Sequence, residues 1–95
     1  MANIELRQSW AFTLRHLAAC RYYLSETLGS VEALKVEREF VGYLHHNELS
    51  LALECAEELG RLSDAPRQFW IELRMAADNM GLKAEAERYA QLSTA

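Results

Sequence analysis

From Asn47 to Met80 the apolar residues return at every third or fourth position, and this periodicity limits what the chain can become more than any other property. Leu49, Ala52, Leu53, Ala56 and Leu59 fall on one stripe of a helix, and Phe69, Leu73, Ala76, Ala77 and Met80 fall on the stripe of a second. Asn47 is placed to cap the first helix by accepting a hydrogen bond from an orphan N–H, with Glu48 beside the positive end of the dipole. Gly60 is placed to end that helix in the left-handed conformation. Ser63 or Asp64 then starts the next helix, Pro66 sits in its first turn, and Gly81 stops it. So short a connection makes the two helices neighbours. Each carries a second apolar set, Leu51, Cys55 and Leu62 on one and Ile71 and Met75 on the other. The reading predicts helices buried on two sides within a bundle, the alternative being a side kept for a partner.

The flanking segments follow the same pattern. A long first helix is expected from a cap at Asn3 to about Leu28. Leu6, Trp10, Leu14, Leu17, Cys20, Leu24 and Leu28 form its main stripe, and Phe12, His16, Ala19 and Tyr23 form another. Trp10, the largest apolar group there, is expected to anchor the core. Gly29 and Ser30 end this helix and cap a second one over Val31–His45, whose buried face is Ala33, Val36, Phe40 and Leu44. Gly42 inside that helix predicts a closely packed neighbour. A last helix is expected over Leu82–Leu92, with Ser93, Thr94 and Ala95 frayed. One Pro and four Gly leave little material for turns, and three Thr and two Ile leave little for strands. The expectation is one all-α domain over residues 1–95, a compact bundle of about five helices. No fixed period recurs often enough to support a solenoid.

The formal charge is −4 and unevenly placed. Residues 1–47 balance, whereas residues 48–95 hold nine acidic against five basic groups. Such a chain is a poor binder of nucleic acid, which requires a basic face, and a suitable partner for a basic protein. Cys20 and Cys55 fall on helical stripes with no CxxC and no dense cysteine framework, so reduced thiols and a cytoplasmic location are expected. The charged N-terminus is unlike a signal peptide, and no window approaches a membrane span.

The residues offer little for catalysis. His45, His46 and Glu48 cluster at a helix start, but lack further ligands at metal-binding spacing. His16 lies between Phe12 and Tyr23 with no nucleophile signalled nearby; a core-edge histidine bonded to a carbonyl or hydroxyl is the expectation. The four glycines are isolated, with no phosphate-binding loop. No catalytic residue, metal or cofactor is expected.

Two runs, FVGYLHHNELSLALECAEELG and FWIELRMAADNMGL, resemble small helical immunity proteins of bacterial polymorphic toxin systems, of the Maf and contact-dependent-inhibition types. The resemblance rests on Phe40 to Leu44, Asn47-Glu48, Ala52-Leu53, Phe69-Trp70 and Ala76-Ala77, and covers about half of the chain. It implies a cytoplasmic protein that binds and neutralises one cognate toxin domain, often a nuclease, and transfers no interface. From the charge excess, the candidate partner-binding residues are the carboxylates Glu54, Glu57, Glu58, Asp64 and Asp78, read as pointing outward toward a basic cleft. The competing reading is a helical adaptor or self-associating scaffold, homodimeric through the second apolar stripes.

Overall fold

The computed structural model describes residues 2–94, with side chains described from Arg7 onward. Among them the chain forms five helices and no strand: α1 Ala2–Tyr22, α2 Val31–His45, α3 Leu49–Leu62, α4 Arg67–Asn79 and α5 Lys83–Thr94. The expected cap at Asn3, the place of Leu6 in its stripe and the end at Ala95 lie outside the described side chains. Helix α2 has the expected bounds, because Ser30 Oγ accepts from Ala33 N at 3.0 Å and fixes its start.

Three helices stop in one way, expected at Gly81 but not at Asn47 and Asp64. Asn47 (φ 55°), Asp64 (φ 49°) and Gly81 (φ 75°) take the left-handed conformation just past α2, α3 and α4. Behind each, the next N–H reaches back to a carbonyl of the last turn: Glu48 to Tyr43, Ala65 to Gly60 and Leu82 to Ala77, each at 2.9 Å. Asn47 therefore closes α2 rather than capping α3. Asp64 closes α3 rather than starting α4, whose N-cap is Pro66. Asn and Asp serve both ends of helices, since their short side chains tolerate the left-handed region. Evenly spaced along the chain, Asn47 and Gly81 turn the hairpins α2–α3 and α4–α5 on one plan, and Asp64 turns the connection between them.

Helix α1 ends earlier than expected, at Tyr22 rather than near Leu28. The Arg21 guanidinium donates to the carbonyls of Ser25 (2.9 Å) and Glu26 (3.0 Å) and its Nε pairs with Glu37, so one side chain satisfies the loop that replaces the last turns. Helix α5 runs on through the segment expected to fray, and Ser93 is buried with its hydroxyl donating to Ala90 O.

Helix α4 packs between α1 and α5, and α3 lies across α1 and α4 with α2 as its hairpin partner. The plate so formed measures 45 × 28 × 18 Å. Its main core joins Leu17 and Cys20 of α1, Phe40 of α2, Ala52, Leu53 and Ala56 of α3, Phe69, Trp70 and Leu73 of α4, and Tyr89 of α5. Leu28, Ala33, Val36 and Leu59 form a smaller cluster under the α1–α2 loop. Helices α1 and α4 run antiparallel. Asn79 Nδ2 donates to Ser9 O (2.8 Å) and Thr13 Oγ1 (2.7 Å), His16 Nδ1 meets Glu72 Oε2 at 2.5 Å, and the Cys20 thiol donates to Phe69 O. His16 thus has a carboxylate partner, not the expected carbonyl or hydroxyl.

Two glycines exchange the roles assigned to them. Gly42, expected against a close neighbour, has nothing within 4 Å of where a Cβ would stand. Gly60, expected at a helix end, lies buried inside α3. A Cβ there would meet Phe69 Cε1 at 2.4 Å and Trp70 Cη2 at 2.8 Å, so the aromatic pair of α4 requires its absence. Gly42→Ala is accordingly expected to stabilise the fold by about 1 kcal/mol, the ordinary helix-interior difference between Ala and Gly. Thermal unfolding should show a rise of roughly 4–8 °C.

The second apolar stripes are not sandwiched as expected. Leu51, Leu62, Ile71 and Met75 remain about two-fifths exposed, on sides of α3 and α4 that no helix among the described residues covers. Trp10 also misses the core, at 43% exposed. It borders an open hollow of about 480 Å³ beside Asn47, Ser50 and Asn79.

Candidate protein-binding surface

The outward ridge of α3 is built by spacing alone. Leu53, Ala56 and Leu59 turn one side of the helix into the core, which leaves Leu51, Glu54, Glu58 and Leu62 on the opposite side. Glu54 and Glu58 are exposed one turn apart and have no ion-pair partner among the described residues. Cys55 is half-buried beside them. Burial raises its thiol pKa, and the carboxylates of Glu39, Glu58 and Glu54 raise it further. Glu39 on α2 therefore joins the acidic field. No local pattern signals Glu39; its place depends on how α2 lies against α3.

Glu57 does not belong to this surface. It points along α3 toward α5, where Arg88 donates to it twice (2.8 and 3.0 Å), Tyr89 Oη donates at 2.8 Å and Arg61 at 3.1 Å. Burial pushes its pKa up, but these hydrogen bonds outweigh burial and hold it down at about 2. Tyr89 is fully buried, and burial followed by its bond to Glu57 raises its hydroxyl pKa. The expectation of an outward Glu57 is thus corrected: it is an internal strut between α3 and α5.

The other two candidates lie apart. Asp64 is exposed in the left-handed turn after α3. Asp78 stands on α4, paired with Arg74 at 3.5 Å. The five carboxylates thus form no single patch; Glu54 and Glu58 are the two that share a ridge.

Charge is sorted by element. Residues 31–62, spanning α2 and α3, hold seven carboxylates against three basic groups, whereas α1 and α4 together hold five arginines against three carboxylates. Of the histidine cluster, His46 Nδ1 meets Gly42 O at 2.8 Å. Among the described residues no three His, Cys, Asp or Glu side chains gather to hold a metal ion, and no helix is long and apolar enough to cross a membrane. Comparison of the chain with protein-family models, curated proteins and solved structures gives no match.

Proposed function

We propose that this chain is an immunity protein, which binds and neutralises a cognate bacterial toxin domain in the cytoplasm by laying the outward ridge of α3 over a basic cleft. The observation that carries the reading is the pair Glu54 and Glu58, exposed, without an ion-pair partner among the described residues and flanked by the half-exposed leucines Leu51 and Leu62. An apolar centre with unpaired charge of one sign suits a partner that buries the leucines and supplies cations. A nuclease cleft has that character, because it must hold phosphates. The acidic field around Cys55 adds Glu39 and would speed encounter at low salt. The protein acts here by occupancy alone.

The test begins with the domain encoded at the 3′ end of the neighbouring upstream reading frame, co-expressed with this chain. Glu54→Lys with Glu58→Lys is expected to lower the association rate at least about tenfold and to flatten its salt dependence, as reversal of steering charges does. Full protection of cells by the double variant would overturn the reading. Glu57 is left intact in that variant, because its loss acts on the fold.

A further inference from the structure

A second surface lies on the opposite broad face of the plate. Along the antiparallel seam of α1 and α4, Phe12 and Met75 border one hollow of about 330 Å³ with Asp78 and Asn79. Phe12, Tyr23, Ile71 and Met75 are each exposed by 40–44%. Arginines border this seam. Arg15 stands one turn from Phe12 on α1, and Arg67 and Arg74 stand one turn either side of Ile71 on α4, all three exposed. Two carboxylates lie in the seam and both are engaged, Glu72 by His16 and Asp78 by Arg74, which leaves Arg15 and Arg67 as its arginines without an ion-pair partner among the described residues.

Two rows on one molecule therefore match. The ridge of α3 is apolar at Leu51 and Leu62 with carboxylates between; the seam is apolar with arginines along its edges. The ridge spans three helical turns, about 16 Å, from Leu51 to Leu62, and the seam row runs a similar length from Phe12 to Tyr23 in the turn that follows α1. They face away from each other, because α3 packs on the inner side of α1 and α4.

We propose that copies of this protein stack head to tail, the acidic ridge of α3 on one copy docking in the arginine-edged seam of α1 and α4 on the next. A two-fold dimer through either surface would set like charges together: arginines against arginines at the seam, or Glu54 and Glu58 against themselves at the ridge. The heterologous contact alone pairs opposite charges and covers both apolar rows. The seam exposes roughly 300 Å² of apolar side chain, well under the ~800 Å² per partner of a stable interface, so the stack is weak, concentration-dependent and salt-sensitive. The inference does not rest on the toxin reading, and its test uses the purified protein alone.

The experiment is sedimentation velocity at low ionic strength. Wild-type protein is expected to rise from monomer to at least about twice the monomer mass with concentration, and to return to monomer in high salt. Met75→Asp spoils the seam and Leu51→Asp spoils the ridge; each variant alone is expected to stay monomeric. Mixed in equal amounts they should form a one-to-one pair and nothing larger, since one good ridge meets one good seam. If either substitution unfolds the chain by circular dichroism, Arg15→Glu with Arg67→Glu and Glu54→Lys with Glu58→Lys replace them, altering exposed charge only. Those two charge variants should again be monomeric singly and associate when mixed. Wild-type protein that stays monomeric at every concentration, single variants that still associate, or mixtures that do not would each overturn the proposal.

Discussion

Replacing Gly60 by alanine is expected to destabilise this protein by about 2–3 kcal/mol, although alanine is the better helix former. The added methyl would stand 2.4 Å from Phe69 Cε1, 2.8 Å from Trp70 Cη2 and 2.9 Å from Trp70 Cζ2. Neither ring has room to withdraw. Phe69 and Trp70 are 1% and 5% exposed and pack edge to face with centroids 5.0 Å apart, and Trp70 also lies 6.0 Å from the ring of buried Tyr89. Relief requires α4 to move off α3, which would loosen every contact between the hairpins. A drop in melting temperature of roughly 10–20 °C follows for a chain of this length. Gly60→Ala combined with Phe69→Leu should recover part of the loss, because the leucine side chain does not reach as far as the ring edge. A melting temperature unchanged in Gly60→Ala would show that α4 shifts without cost. Gly42→Ala, with the opposite expected sign, serves as the control.

The second large effect is at Glu57. Its carboxylate accepts from Arg88, Tyr89 and Arg61, so Glu57→Ala leaves the hydroxyl of the fully buried Tyr89 without its partner. A cost of about 2–3 kcal/mol is expected, the desolvation of the orphaned hydroxyl added to the lost charged bonds. The pH dependence identifies the cause. The folded-state pKa is about 2 against 4.5 in an unconstrained chain, so the group is depressed by folding. Its contribution is therefore fully present above pH 4.5 and lost as pH falls toward 2. The acid limb of the stability profile should weaken by about 2 kcal/mol through that window in the wild type. Glu57→Gln, with no proton to bind, should be less stable at neutral pH and lack that part of the slope. Tyr89→Phe should cost less, about 1 kcal/mol, because it removes the buried hydroxyl itself and Glu57 still accepts from Arg88 and Arg61.

How much of this was legible beforehand depended on whether a feature is local. The five helices and their inner stripes follow from spacing within each segment, and Ala33, Val36, Leu53, Leu59, Leu73 and Tyr89 are buried as their periodicity requires. The stop at Gly81 was legible, but the roles of Asn47 and Asp64 were not, because they belong to a residue class that both starts and ends helices. Gly60 was misread because its role is set by Phe69 and Trp70, which reach it from the next helix. The surface divides in the same way. Glu54 and Glu58 point outward as their place opposite Leu53, Ala56 and Leu59 demands. The inward turn of Glu57 depends on Arg88 and Tyr89, which meet it from another helix about thirty residues along the chain. Glu39 entered the acidic field only once α2 had a position beside α3.

The pairing of α1 with α4 has a bearing on synthesis. The partners that hold α1 lie 49 to 70 residues further along the chain, at Phe69, Glu72 and Asn79. At the usual pace of about 5–20 residues per second, α1 waits roughly 2–14 seconds for its mate to leave the ribosome. During that wait Leu17 and Cys20 stand bare, while the α2–α3 hairpin already has its own partner in hand. Helix α1 waits longer for its partner than α2 does, and it is the segment a nascent-chain chaperone would meet unclothed.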